Sequence, residues 1–376
     1  MINKKRLVGL TQKLISIDSQ NPPGDESKIA VFVRDYLKRL GLNPKIYEFE
    51  KKRSNIVVLW EGSDRKHSLM LTPHLDTVPS GNNWSFPPFG AKIHKKRIYG
   101  LGATDCKGNV ACAIEAINSL IEEKRILGYN LIFAATADEE SGSKLGLESL
   151  LDEGILKPDA ALVLDSDDFS IIVAQKGLIH LKIIIEGKRA HGAYPWLGIN
   201  AIDIAIGLIK KLQNYRFSSI KNKYLRPPTL NIGTIHGGDK VNVVADWCEF
   251  ELDFRFLPGD SSKNILRDIK GVIEKTPAKI KIEIEGIQEP FSIDEKHPLV
   301  ESLAKAMYKI KVKPGIKGSE GATTISFFQD RNIPSIAAGF GTDGCAHIVD
   351  EYAGIDDLYQ GARVIEEFLK TYRFKL

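Results

Sequence analysis

Net charge is scarce in this chain: 52 basic against 48 acidic residues leave only +4, too small an excess to point to nucleic acid as a partner. Long hydrophobic runs are missing too. No apolar stretch approaches the roughly 18 residues that a membrane-spanning helix requires, so a membrane is not an expected partner. Cysteine is sparse, with four residues at 106, 112, 248 and 345 and no C-x-x-C pair. That excludes a disulfide-dense secreted scaffold and points to a reducing cytoplasm. Internal repeats and low-complexity tracts are also absent.

What is present is an ordinary globular composition, 43% hydrophobic and 27% charged, on 376 residues. Single cores seldom grow past about 250–300 residues, so two domains are expected. The opening stretch MINKKRLVGLTQKLISID is basic, but Gln12 and Lys13 interrupt its apolar residues. Leu7, Leu10, Leu14 and Ile15 recur at helical spacing, which predicts an amphipathic helix rather than a signal peptide.

From residue 1 to 178, helical patterns alternate with short runs rich in Val, Ile and Leu: NIVVLW, SLMLTP, NLIFAATA and AALVLD. This predicts an α/β domain with a mixed, mostly parallel sheet and helices on both faces. Between 179 and 289 the order becomes strand, helix, strand, strand, helix, strand, which is ferredoxin-like α+β. From 290 to 376 the α/β style returns. The expected architecture is therefore one domain of residues 1–178 and 290–376, interrupted by an inserted domain of residues 179–289.

In the first domain, acids and histidines gather where the apolar runs end. SLMLTP leads into His74-Leu-Asp76, NLIFAATA into Asp138-Glu-Glu140, AALVL into Asp165, and PSIAAGFG is followed by His347. Sites in open α/β sheets form beyond the carboxyl ends of strands. His74 and Asp76, two apart, face the same side of an extended backbone, where a carboxylate can fix the imidazole tautomer for a metal. A strand end turning polar at water accounts for H-x-D equally well. Asp105, in GLGATDCKGN, reads alone as a turn former. Asp138-Glu-Glu140 reads either as a capped helix start or as a metal ligand, Glu140, beside an uncoordinated base, Glu139. His74, Asp105, Glu140, Asp165 and His347 are too many for one tetrahedral centre but suit two metals if a carboxylate bridges; imidazole and carboxylate donors favour zinc, cobalt or manganese.

HLDTVP, GATDCKG, DEESGS, the segment from VLD to QKG, RAHGAYPWLGINA and CAHIVDEY resemble, in order and over nearly the whole chain, the motifs of a metallohydrolase family. It is the dizinc aminoacylase, carboxypeptidase G, acetylornithine deacetylase and succinyl-diaminopimelate desuccinylase family. The resemblance implies that His74, Asp105 and Asp165 hold one metal and Asp105, Glu140 and His347 the other. Asp76 orients His74, and Glu139 is the general base. It also implies a cis peptide between Asp105 and Cys106.

By the same resemblance the inserted domain is a lid through which a homodimer forms. His191 steadies the oxyanion from the partner subunit, while Arg255, Asn242 and Thr323 bind the substrate. From the residues alone, His191 reads as a loop histidine and Arg255 as a salt-bridged strand arginine. The implied reaction is hydrolysis of an N-acyl amino acid or short peptide with a free carboxylate; a catalytically silent binding or assembly subunit is the alternative.

Two departures bear on the substrate. Asp165-Ser166 stands where many relatives have glutamate and proline, and GATTISFF places Thr324 and Ser326 where biosynthetic deacylases commonly carry a charged pair. The G-x-G-x-x-G match from Gly339 to Gly344 is followed by no apolar helix. A glycine-rich turn carrying His347 is expected there rather than a dinucleotide site.

Overall fold

The strand Ser68–Thr72 is buried at all of its positions, and in this computed structural model it lies inside a mixed sheet. All residues are described except Ser166, Ser218, Ser219, Lys375 and Leu376. The chain divides into two units. One comprises Met1–Val173, Ile293–Lys317 and Thr323–Leu376, and the other Ala174–Ser292 with Gly318–Ala322.

In the first unit, Asn130–Ala135, Ser68–Thr72, Ala160–Val163 and Ser335–Ala337 are adjacent parallel strands. Antiparallel strands flank them: Ser54–Trp60 and then Lys45–Glu48 on one side, and Ser170–Gln175 on the other through its Ile172. The near-continuous burial of the parallel strands means that both faces are covered, which is why they read as unbroken apolar runs.

Helix Lys4–Ile15 buries Leu7, Leu10, Leu14 and Ile15, the stripe expected from their spacing. Helix Lys107–Glu122 is buried almost all round, packed against Lys4–Ile15 and Ile355–Thr371. Such a helix is a core element rather than an amphipathic one. Among the described residues, no helix is long and apolar enough to cross a membrane.

In the second unit, Gly177–Glu186, Thr229–Gly237, Trp247–Phe256 and Lys279–Gln288 form an antiparallel sheet. Its spatial order is Thr229–Gly237, Trp247–Phe256, Gly177–Glu186, Lys279–Gln288. Strict alternation puts Ile179, Leu181, Ile183 and Ile185, with Phe250, Leu252 and Phe254, in a core with Ala205, Leu208 and Leu212 of helix Ala201–Asn214 and Ile265 and Ile269 of helix Ser262–Ile273. The opposite face keeps the charged residues, as period-two patterning requires. Gly318–Ala322 groups with this unit: the buried Lys176 ammonium lies 2.6 Å from Glu320, and Lys176 N–H donates to the Ser319 carbonyl. No sequence pattern marks that excursion.

Candidate metal centre

Parallel strands bring their carboxyl ends to one edge. Ser68–Thr72 runs on through Pro73 to His74 and Asp76, Asn130–Ala135 to Glu139 and Glu140, and Ala160–Val163 to Asp165. Pairing persists past the strand ends. Leu75 N–H donates to the Thr136 carbonyl at 2.7 Å, and Leu164 N–H to that of Thr72 at 3.0 Å. The topology itself therefore sets these acids side by side.

Asp105 occupies the middle. Its Oδ1 lies 2.9 Å from His74 Nε2 and its Oδ2 3.2 Å from His347 Nε2. One carboxylate thus meets both imidazoles through different oxygens, the disposition required of a bridging ligand. His347 Nε2 is also 3.1 Å from Glu140 Oε1. The donor atoms of Asp105, Glu140 and His347 all lie within 4.8 Å of one another. Beside His74 and Asp105 the third donor so placed is the Cys106 thiol, whose Sγ donates to the Leu164 carbonyl at 3.0 Å. Burial and the Asp105 carboxylate push the Asp165 carboxyl up to about 7. Ser166, next in the chain, lies outside the described residues. The Asp105-Cys106 peptide is cis.

Asp76 is fully buried. Its Oδ1 accepts the Glu139 N–H and its Oδ2 the Glu140 N–H, both at 3.1 Å, and Asn21 Nδ2 donates to Oδ2 at 2.9 Å. His74 Nδ1 lies 3.0 Å from the Asp76 carbonyl and 3.5 Å from its Oδ1. The nearer partner of the imidazole is thus the Asp76 backbone, and Nδ1–H donation to it leaves Nε2 as the ligating nitrogen. The Asp76 side chain also holds the turn that carries both glutamates.

Asp138 is not a helix cap. It sits in the left-handed region at φ 67° and makes no capping bond. Its carboxylate accepts from Arg53 Nη2 at 2.8 Å and from Leu145 N–H at 2.9 Å, because a buried guanidinium is a stronger partner than a three-residue turn. Arg53 also grips Glu26 through Nε at 3.0 Å and Nη2 at 2.9 Å.

Asn21, Glu26, Arg53 and Glu351 escaped the sequence reading. Asn21 and Arg53 lie outside any chemical pattern, whereas Glu351 lay inside the CAHIVDEY motif and could have been questioned. The glycine-rich stretch forms a turn, as expected. A Cβ on Gly341 would come within 2.4 Å of Thr104 Cγ2, so only glycine lets this turn lie against the Asp105 loop.

The electrostatics follow the crowding of acids. Burial would raise Asp105, but hydrogen bonds from His347 and His74 hold it well below the usual carboxylate range. The same bond to Asp105, with that to Glu140, lifts His347 to about 10. Burial and the Asp165 charge hold Glu139 well above an ordinary carboxyl. Asp105, Glu139, Glu140 and Asp165 crowd around two imidazoles, His74 and His347. Converging imidazole nitrogens, carboxylate oxygens and unbalanced negative charge fit divalent cations of the zinc, cobalt or manganese type.

In the second unit, His191 belongs to the short strand Ala190–His191, paired with Val243–Val244. Gly192 N–H donates to the Asn242 carbonyl at 2.8 Å, so His191 and Asn242 are neighbours. His191 Nδ1 accepts from Ala193 N–H at 3.0 Å. Arg255 is elsewhere, near the far end of strand Trp247–Phe256. Trp247 and Arg255 are separated by about 26 Å at roughly 3.3 Å per residue. The guanidinium already has a partner, with Asp253 Oδ1 2.7 Å from Nε and Oδ2 2.9 Å from Nη2. In the first unit, Thr323 Oγ1 accepts from Ile325 N–H at 3.4 Å at the start of the short helix Ile325–Gln329. Thr324 and Ser326 are buried.

Residues 70–371 match the model of peptidase family M20/M25/M40. The chain is 30% identical to an acetylornithine deacetylase of Vibrio atlanticus (strain LGP32), with 96% of each chain covered. It is 27% identical to a succinyl-diaminopimelate desuccinylase of Orientia tsutsugamushi (strain Boryong), with 97% of this chain and 95% of that one covered. Among solved structures, a tripeptidase from Staphylococcus aureus subsp. aureus Mu50 superposes with a TM-score of 0.83 at 25% identity, covering 98% of both chains. A dinuclear metal-binding M20 peptidase of Bacillus subtilis shares the fold, with a TM-score of 0.76 at 16% identity and 97% of both chains covered. With a clustered set of histidine and carboxylate donors and a family match over most of its length, the chain belongs to peptidase family M20/M25/M40.

Proposed function

We propose that this M20 protein is a metal-dependent amide hydrolase that releases an amino acid from an N-acyl amino acid or short peptide bearing a free carboxylate. The observation that carries this reading is the Asp105 carboxylate set between His74 and His347, with Glu140 on the same imidazole. His74, Asp105 and Asp165 would hold one divalent ion and Asp105, Glu140 and His347 a second, zinc first, with cobalt or manganese suiting the same donors. Such ions supply a water of lowered pKa and a polarised carbonyl.

The remaining work falls to the protein. Glu139 accepts the proton of the attacking water and returns it to the departing amine nitrogen. Asp76 fixes the Glu139–Glu140 turn. His191, with Nδ1 accepting from Ala193, carries its proton on Nε2 when neutral, which suits donation to an oxyanion. Arg255 offers a fork to the substrate carboxylate, in competition with Asp253. Asn242 and Thr323 are substrate-binding residues by the same reading.

A homodimer formed through the second unit agrees with the separation of His191 and Asn242 from Arg255, since one small substrate cannot reach both ends of that sheet within a single chain. The edge strand Thr229–Gly237 and the exposed Tyr194, Trp196, Leu197 and Val241 suit a second copy as partner. Four buried free cysteines suit a cytoplasmic setting. The test is a hydrolysis panel on the metal-loaded protein with N-acetyl, N-succinyl, carbamoyl and dipeptide substrates. Cleavage of at least one is expected, with loss on amidation of the free carboxylate. No cleavage of any would leave a silent binding or assembly subunit.

A further inference from the structure

We propose that Glu351 is a positioning residue that sets the spacing of Asp105 and His347, and with it the affinity for the ion those two share. The inference rests on the reading of Asp105 and His347 as ligands. The loop leading to Asp105 belongs to no strand, so its N–H groups need acceptors from elsewhere. Glu351, 1% exposed, provides them: Oε2 accepts from Gly102 N–H at 2.8 Å, and Oε1 from Thr104 N–H at 2.8 Å and Asp105 N–H at 3.0 Å. Its own carbonyl accepts from Gly100 N–H at 2.9 Å.

Thr104 ties the same two segments from the other side. Its hydroxyl donates to the Tyr352 carbonyl at 2.8 Å and accepts from Thr342 N–H at 3.2 Å. His347 lies between Thr342 and Tyr352, so the stretch that carries it is fastened at both ends to the loop that carries Asp105. A buried carboxylate accepting several N–H groups makes strong, directional bonds. A glutamine of the same shape cannot replace it, because its amide would set a donor against a donor.

The experiment measures Mn²⁺ binding to the metal-free full-length protein by equilibrium dialysis and electron paramagnetic resonance, alongside the dependence of activity on metal concentration. Glu351→Gln should weaken the apparent Kd for the Asp105–His347 ion by roughly tenfold or more, with activity restored by excess metal. A general loss of folding would not be rescued in that way. Thr104→Val, a milder loosening of the same clamp, should shift the Kd in the same direction by less, and it stands as the test if the Glu351 variant does not fold. His347→Ala serves as the reference. If it binds Mn²⁺ like the wild type, the ligand reading fails and takes this inference with it. If it loses the ion while the Glu351 variant, or failing that the Thr104 variant, keeps a Kd within about twofold of wild type, the positioning role alone is overturned.

Discussion

Asp76 accepts the backbone N–H groups of two consecutive residues, Glu139 on Oδ1 and Glu140 on Oδ2, each at 3.1 Å. One buried side chain therefore holds the turn from which the proposed base and a proposed ligand project. Replacing Asp76 with Asn keeps the shape but turns an amide toward one of those N–H groups. The unsatisfied donor should cost about 1–3 kcal/mol, read by urea unfolding of the metal-free protein. Metal affinity should fall roughly 10–100-fold. If neither quantity moves, Asp76 does not anchor the turn.

Neighbouring glutamates should separate cleanly. Glu140 contacts His347, so Glu140→Gln should release metal, measured as bound ion per chain after dialysis. Glu139→Gln should keep its metal and lose turnover by about 10²–10⁴-fold, the usual worth of a positioned acid–base group. Full activity in the Glu139 variant would sink the mechanism.

Arg53 is a structural support rather than a reacting group. It sits between Glu26 and Asp138, both buried. Arg53→Met leaves two buried carboxylates without their cation, which should cost about 3–5 kcal/mol. Chemical denaturation of the variant reads this directly, and a loss below about 1 kcal/mol would place the pair among weak surface-like bridges.

The proposed dimer can be tested by mixing two inactive variants, Glu139→Gln and His191→Ala. If His191 acts across a two-fold interface, co-refolded mixtures should regain up to about a quarter of the wild-type sites. If His191 serves its own chain, the mixture stays inactive.

Much of the architecture was legible because its signals are local. The runs NLIFAATA and SLMLTP became buried parallel strands, and LIHLKIIIEG and ADWCEFELDFRF alternate as their period-two pattern requires. The antiparallel flanks and the assignment of Gly318–Ala322 to the second unit were not legible, because pairing direction and chain excursions leave no periodicity. At the centre, residue types and strand-end positions marked His74, Glu140 and His347, whereas Asp105, in a glycine-bounded loop, was marked by the family resemblance. The same strand-end signals marked Asp165, whose carboxyl is pushed up by burial and the Asp105 charge.

By itself the sequence determined which segments become strands and helices, and which side chains bear ligand chemistry, since both depend on residue type and on spacing of a few positions. Only the tertiary structure decided who holds those ligands in place. The bond from Asp105 to Glu351 joins residues 246 apart, and that from Arg53 to Asp138 residues 85 apart. Such partnerships depend on the path of the whole chain, and a buried polar group accepts whichever partner that path delivers.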